Sequence, residues 1–204
     1  MIVEMRTYTL KPNSIQTFED RFAAALTYRK EFSPLGAFWH SEIGNLNQVI
    51  HVWPYKDFGD RERIMGEARK SGKWPPNNRE LILSQETKIL QVAPFSPSLE
   101  EKKLGDVYEI RTYTYLPGAM PTVLERWQKI IADRVKLSPL AAGWHTAVGP
   151  LNQFIHIWPY KDLAERARIR SESMKLPNWP PRTSELMLKQ ENAIVIPAPF
   201  SPLH

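Results

Sequence analysis

The hydrophobic pattern of the chain predicts the same order of elements twice. An alternating β-branched and aromatic stretch at residues 2–10 predicts a strand. Apolar residues at helical spacing then predict an amphipathic helix that ends before Ser33-Pro34. Residues 37–44 and 47–53 predict a hairpin, Asp57 is a good N-cap for a second helix, and a last strand follows. The order β-α-β-β-α-β returns in the second half of the chain.

An internal repeat explains this pattern. EMRTYTLKP, starting at Glu4, returns as EIRTYTYLP at Glu109, and HVWPYKD at His51 returns as HIWPYKD at His156. The offset of about 105 residues is too long for a solenoid, whose units span about 20–50 residues, so each copy is a whole small domain. We expect a first domain at residues 1–97, a polar linker at 98–105 and a second domain at 106–204.

The predicted architecture is α+β, with two tandem ferredoxin-like domains. Each βαββαβ unit makes an antiparallel sheet with both helices on one face, which leaves the other face bare. A domain of this size buries only a marginal core, so the bare face needs a partner, and the second copy is tethered within reach. We therefore expect the two sheets to face each other within the chain as a pseudo-dimeric α/β-barrel, with further homo-oligomerisation left open.

Strand alternation predicts which side chains share a sheet face. A hairpin turn centred between Asn45 and Leu46 would place His40 opposite His51, and its copy would place His145 opposite His156. We expect the more apolar face to receive the helices and the polar face to line the barrel interior. The polar-face residues are Glu4, Arg6, Tyr8, His40, His51 and Trp53, with Glu109, Arg111, Tyr113, His145, His156 and Trp158 in the second copy.

This polar cluster admits four interpretations. The first is structural, with each glutamate paired to its neighbouring arginine and the histidines bonded to carbonyl groups. The second is a small-molecule site, in which His51 and His156 act as acid–base groups and the other arginine, tyrosine, histidine and tryptophan side chains bind an anionic, partly apolar ligand. A haem pocket with an axial histidine and a divalent-metal site are the others. Because Glu42 is replaced by Ala147 in the second copy, we expect no metal site, and no cofactor is predicted.

Three further features recur in both copies. Arg29 and Arg134 fall in register with the buried helix stripe, so their stems are expected to pack while the charged ends reach a carbonyl or a ligand. Trp74 and Trp179, each followed by two prolines, are expected to cover the barrel ends, with stacking on a ligand as the alternative. The APFSP segments at residues 93–97 and 198–202 are expected to cross onto the other domain.

Composition excludes several classes of protein. The 204 residues include no cysteine, which excludes disulfide scaffolds and thiol nucleophiles. The net charge of +5 divides into +2 for residues 1–105 (15 basic, 13 acidic) and +3 for residues 106–204 (12 basic, 9 acidic), so no basic patch predicts nucleic-acid binding. The chain lacks a long apolar run and a signal-like start, which predicts a soluble cytoplasmic protein.

The combined motifs resemble the NIPSNAP family across essentially the whole chain. The matching segments are Glu4–Pro12, Gly44–Gln48 and His51–Arg61, repeated at Glu109–Gly118, Gly149–Gln153 and His156–Arg166. The resemblance implies a dimeric α/β-barrel, in a superfamily of cofactor-free monooxygenases, isomerases, haem-active enzymes and simple binders, and it implies no catalytic residues. We expect a barrel-interior binder of a small molecule. A cofactor-independent monooxygenase or isomerase and an interaction module with a filled barrel are the alternatives.

Overall fold

The computed structural model describes residues 1–204 and contains the predicted elements in the predicted order. The first repeat consists of β1 (Ile2–Leu10), α1 (Ile15–Arg29), β2 (Ala37–Ile43), β3 (Gln48–Tyr55), α2 (Phe58–Lys70) and β4 (Ile82–Val92). The second consists of β5 (Val107–Tyr115), α3 (Met120–Arg134), β6 (Ala142–Val148), β7 (Gln153–Tyr160), α4 (Leu163–Ser173) and β8 (Met187–Pro197). None of the helices combines the length and the apolar character needed to cross a bilayer.

Local sequence signals set the starts of the second helix in each repeat. The Asp57 carboxylate accepts a hydrogen bond of 2.9 Å from the Asp60 amide at the start of α2. The Asp162 carboxylate accepts one of 2.7 Å from the Glu165 amide at the start of α4. Each bond satisfies an amide that has no partner inside the helix, so these aspartates fix where the helices begin.

The eight strands form one closed antiparallel barrel in the order β1-β3-β2-β8-β5-β7-β6-β4. Hydrogen bonds between β2 and β8 and between β4 and β6 join the repeats at both seams. Closure leaves no free sheet edge in either repeat. The predicted fold class, an intrachain barrel of two ferredoxin-like units, is confirmed.

The barrel interior is filled by apolar side chains. Trp39 and Trp144 lie inside at 0% and 1% exposure, among aliphatic residues from the strands of both repeats. The core members include Val3, Met5, Ile50, Val52, Leu90, Tyr108, Ile110, Ile155, Ile157 and Val195. The interior is therefore a core packed with the protein's own side chains, unlike the polar, ligand-binding interior expected from the sequence.

The polar face lies on the outside of the barrel, under the helices. Tyr8 and Trp53 pack with the α1 residues Phe18 and Phe22 in one outer core, and Tyr113 and Trp158 occupy the same place in the second repeat. The expected assignment of the two faces is thus reversed for the whole polar set, from Glu4 to Trp53 and from Glu109 to Trp158. Water is excluded from the interior of a closed barrel, so the uncharged face of each strand points inward. The helices leave clefts over the outer face, where charged side chains stay partly hydrated.

The hairpin register also differs from the expected one. His51 lies opposite Phe38, and His40 lies opposite Val49. In the second repeat His156 lies opposite Gly143, and His145 opposite Phe154. The turn is centred between Gly44 and Asn45, one residue earlier than expected, with positive φ angles of 117° at Gly44 and 56° at Asn47. A shift of two in the pairing preserves the sheet face of every residue but separates the histidines.

Each repeat completes the outer core of the other. Phe200, at the end of the second repeat, stacks on Phe22 with the ring centroids 5.8 Å apart, and its ring centroid lies 4.9 Å from that of Phe38. Phe95, at the end of the first repeat, stacks on Trp127 at 6.2 Å and meets Phe154 edge-on at 6.1 Å. The expectation that the APFSP arms cross between the domains is confirmed, and the repeats are interlocked through aromatic side chains.

The crossing arm predicts a measurable coupling between repeats. We expect Phe200→Ala to lower the free energy of unfolding by about 2 kcal/mol, because a partly buried ring is lost from the core of the other repeat. Urea denaturation followed by tryptophan fluorescence would measure it. Phe58→Ala is the matched control, since that ring is 49% exposed and should cost less than about 0.5 kcal/mol. Equal effects of the two variants would contradict the interlocked arrangement.

Candidate functional site

Each repeat contains a cavity between the outer face of its sheet and its helices. The cavity of the first repeat has a volume of about 540 Å³ and that of the second about 620 Å³. The first cavity is lined by Arg6, Tyr8, Arg29, His51, Trp53 and Trp74, and each of their counterparts 105 positions further on lines the second. The duplicated motifs therefore build two equivalent pockets. Both lie on the outer face of the barrel, and the strands separate them from the apolar core inside.

A buried carboxylate organises the arginines at each cavity. Glu4 is fully buried on β1 and accepts a hydrogen bond of 2.7 Å from Arg61 of α2, with Arg6 at 3.6 Å. This is the ion pair expected between Glu4 and Arg6, with Arg61 added by the helix. Since Arg61 binds the carboxylate more closely, Arg6 keeps hydrogen-bonding capacity toward the cavity.

The second repeat builds a tighter version of this network. Glu109 accepts hydrogen bonds from Arg166 at 2.6 Å, Arg111 at 3.0 Å and Asn192 at 3.1 Å. Burial alone would raise the pKa of Glu109, but the bond from Arg166 and the charges of Arg111 and Arg166 outweigh it and hold that pKa below its usual range. The carboxylate is therefore ionised at neutral pH and fixes the arginines in place.

A neutral histidine lies at the centre of each cavity wall. His51 is 2% exposed, and its Nδ1 accepts a hydrogen bond of 2.7 Å from the Trp53 indole N–H. Trp158 donates to His156 Nδ1 with the same length. Burial, with the charges of neighbouring arginines adding to it, holds the pKa of both imidazoles well below the usual value.

The tryptophan bond fixes the tautomer of each histidine. An indole N–H only donates, so Nδ1 must be the unprotonated nitrogen and the proton resides on Nε2. Nε2 of both rings is buried and has no hydrogen-bond partner in the protein. The wall of each cavity therefore contains one imidazole N–H without a hydrogen-bond partner, an arrangement that favours a donor role over the acid–base role expected from the sequence.

The same bond tests the haem and metal alternatives. Coordination through Nε2 requires a lone pair there and moves the ring proton to Nδ1. That proton would point at the Trp53 N–H, so two donors would face each other at 2.7 Å. The donor set of His51 and His156 does not fit an axial haem ligand or a metal ligand.

An arginine from the first helix forms the inner end of each cavity. Arg29 is 1% exposed and donates hydrogen bonds to Ser33 Oγ at 2.7 Å and to the Tyr55 hydroxyl at 3.0 Å. Its Cζ atom lies 4.3 Å from the centroid of the Trp53 ring. Arg134 repeats the position above Trp158 at 4.1 Å. Neither guanidinium has a carboxylate partner. Sequence reasoning placed these arginines on the buried stripe but favoured simple packing, because it could not show the stacking tryptophans beside them.

Two of the predicted binding residues lie away from the cavities. His40 hydrogen-bonds through Nδ1 to Glu19 of α1 at 2.7 Å, and neither it nor His145 lines a cavity. The reason is the hairpin register. His40 and His145 pair with Val49 and Phe154, which lie two residues closer to the turn than the expected partners His51 and His156. The arrangement thus brings together Arg6, Tyr8, His51 and Trp53, with the corresponding four residues of the second repeat, and leaves the other two histidines out.

The structure adds residues that the sequence pattern did not indicate. Arg69 of α2 and Arg79 of the short 3-10 helix that precedes β4 line the first cavity, and Arg170 of α4 lines the second. Trp74 and Trp179 line the cavities beside the sheet. The sequence had predicted a place at the barrel ends for both of them. The helical spacing of Met65 and Arg69 was the available signal, since positions four apart share a helix face.

Comparisons with known proteins agree with this architecture. The NIPSNAP family model matches residues 3–97 and again residues 108–202. Protein NipSnap homolog of Dictyostelium discoideum is 32% identical over 182 residues, covering 87% of this chain and 78% of that protein. Protein NipSnap homolog 3B of Homo sapiens is 30% identical over 210 residues, covering 98% of this chain and 85% of that protein.

The solved structures show the fold. A putative monooxygenase from Fusobacterium nucleatum superposes with a TM-score of 0.68 over 96% of this chain and 91% of its own, at 11% sequence identity. At that identity the likeness concerns the barrel architecture alone. The two matches to the family model, together with relatives at 30% identity or more over most of the chain, show that this protein belongs to the NIPSNAP family.

Proposed function

We propose that this protein binds small organic anions with an aromatic or apolar body, one in each outer cavity. The observation that carries the proposal is the unpartnered Nε2–H of the buried, neutral His51, repeated at His156, on the wall of a cavity rich in arginine. A buried donor without a partner is costly, so a ligand that accepts its hydrogen bond would be favoured.

The charge of the cavity favours an anion. Arg6, Arg29, Arg69 and Arg79 line the first cavity, and Glu4 is the single carboxylate among its lining residues. That carboxylate is already bound by Arg61 from outside the lining. A carboxylate or enolate oxygen of the ligand would gain charge-assisted hydrogen bonds that a neutral ligand lacks.

The remaining wall favours an apolar or aromatic body. Trp53 and Trp74 meet edge to face at 5.7 Å, and Phe22 meets Trp74 at 5.2 Å. Rings held in this way give the cavity a rigid apolar wall, against which a ligand can pack at little cost in side-chain entropy. The cavity volume of about 540 Å³ suits a ligand of one or two rings.

A second candidate is an enzyme that uses the same donor to stabilise an oxyanion. A neutral imidazole N–H directed at a carbonyl oxygen stabilises negative charge that develops there, as an enolate requires. Cofactor-independent oxygenation and isomerisation both pass through such anions. Ligand binding is the common first step of both candidates.

Titration with benzoate tests the proposal. The indole N–H resonances of Trp53 and Trp158 report the two cavities separately in ¹H–¹⁵N spectra, once Trp53→Phe and Trp158→Phe have assigned them. We expect benzoate, but not benzyl alcohol, to shift both resonances in a saturable way. Arg6→Gln should weaken binding at the Trp53 site by about tenfold or more, because a charge-assisted bond is lost while Arg61 still holds Glu4.

Arg63→Gln is the matched control for this experiment. Arg63 lies on the exposed side of α2, pairs with Asp60 and Glu67, and is absent from the cavity. This variant should bind benzoate like the unmodified protein. Benzyl alcohol shifting the two resonances as strongly as benzoate, or neither compound shifting them, would contradict the proposal.

A further inference from the structure

We infer that the two cavities have diverged in specificity, and that the first takes a dianionic ligand whose second anionic group lies at Arg69 and Arg79. The inference rests on the proposed anion binding and goes beyond it, because it assigns different ligands to the two repeats. It is carried by a difference in how the cavity-lining cations are paired.

The first cavity has two arginines without partners. Arg69 of α2 and Arg79, the first residue of a short 3-10 helix (Arg79–Leu81) before β4, are exposed at the cavity entrance. Neither donates a side-chain hydrogen bond to the protein, and neither has a carboxylate within 4 Å, since Glu80 pairs with Arg21 and Glu67 with Arg63. Both guanidinium groups are therefore available to a ligand that already contacts Arg6 and His51.

The second cavity has lost both of these cations. The counterparts of Arg69 and Arg79, 105 positions further on, are Met174 and Ser184. An arginine does occur on the same helix at Arg170, one turn earlier, where the first repeat has Met65. The methionine and the arginine have thus exchanged places on the cavity side of the helix.

The exchanged arginine lies near a buried carboxylate, which neither Arg69 nor Arg79 does. Arg170 Nη1 lies 3.8 Å from Glu109 Oε2, so its charge helps to compensate the buried carboxylate. The other cation near the entrance, Lys189, pairs with Glu191 at 2.8 Å. The entrance of the second cavity therefore has fewer unpaired cations than that of the first, and a second anionic group would find weaker compensation there for its lost hydration.

Benzoate and terephthalate test this difference, because they share one ring and differ by one carboxylate. We would follow the Trp53 and Trp158 indole resonances at low ionic strength, where charge contributes most. At the Trp53 site we expect terephthalate to bind at least about tenfold more tightly than benzoate, the effect of one or two charge-assisted bonds. At the Trp158 site the two compounds should differ by less than about threefold.

Exchanging the natural residues should move the preference between the repeats. Arg69→Met with Arg79→Ser should remove the preference at the Trp53 site, so that terephthalate and benzoate bind there with affinities within about threefold of each other. Met174→Arg with Ser184→Arg should create it at the Trp158 site. All four positions are exposed, so the variants should remain folded.

The outcomes separate this inference from the proposed function. Saturable benzoate binding with the same terephthalate preference at both sites would overturn the divergence and leave anion binding standing. A preference that survives Arg69→Met with Arg79→Ser would overturn the role of these two arginines. If neither compound shifts either resonance, both the divergence and the proposed function are wrong.

Discussion

Replacing Trp144 with alanine is expected to lower the free energy of unfolding by about 3–5 kcal/mol. Trp144 is 1% exposed inside the barrel, on β6, where side chains from both repeats meet. Removal of the indole leaves a cavity that a closed ring of hydrogen-bonded strands cannot collapse to fill. Urea or thermal unfolding of the variant and the unmodified protein at pH 7 would measure the loss.

Leu151→Ala is the control for this experiment. Leu151 lies in the β6–β7 turn at 63% exposure, so its loss should change the free energy of unfolding by less than about 0.5 kcal/mol. Similar values for the two variants would show that the barrel interior is not the principal core. Benzoate shifts at Trp53 should persist in folded Trp144→Ala, because the first ligand cavity lies on the other side of the barrel wall.

The second large expected effect is a loss of stability between pH 7 and pH 5. His51 and His156 are neutral in the folded protein because burial holds the pKa of each well below 6.5. In the unfolded chain each binds a proton near pH 6.5, so below that pH the unfolded state takes up more protons and is favoured. Two imidazoles that stay neutral in the folded protein throughout this range would lower the free energy of unfolding by up to about 3–4 kcal/mol between pH 7 and pH 5.

Paired measurements would assign this pH dependence to the two histidines. Urea denaturation at pH 5, 6 and 7 gives the slope of the free energy of unfolding against pH. This slope should fall by about half in His51→Gln and in His156→Gln, and nearly to zero in the variant that carries both substitutions. Glu109 contributes in a separate window, because its lowered pKa adds stability that is lost only as the pH falls below about 4.5. A profile that stays flat in the unmodified protein, or steep in the double variant, would contradict the neutral buried imidazoles.

Several features of the fold followed from the sequence because they depend on local structure. The strands Ile2–Leu10 and Val107–Tyr115 alternate so regularly that their bounds were predicted without error. Which side chains share a sheet face also followed, since alternation is a property of the extended backbone. The grouping of Arg6, Tyr8 and His51 on one face survived even the wrong hairpin register, because that error was an even number of residues.

The candidate site was predicted in composition but not in place. Sequence reasoning identified the arginine, tyrosine, histidine and tryptophan of each repeat, and these side chains do lie together. It placed them inside the barrel, and it could not give the tautomer of His51, which depends on the direction of the Trp53 indole. Arg69 and Arg79 were missed because their relation to the cavity depends on how α2 and its following loop pack on the sheet.

The sequence by itself determined the duplication, the order of elements and the division of each strand into an apolar and a polar face. These depend on interactions between residues close together in the chain, and the repeat provided two independent readings of each. Only the tertiary structure decided which face was enclosed by the barrel and which lay under the helices. That choice depends on the closure of a barrel from strands about 100 residues apart in the chain. The closed interior excludes water, so it encloses the uncharged face of each strand.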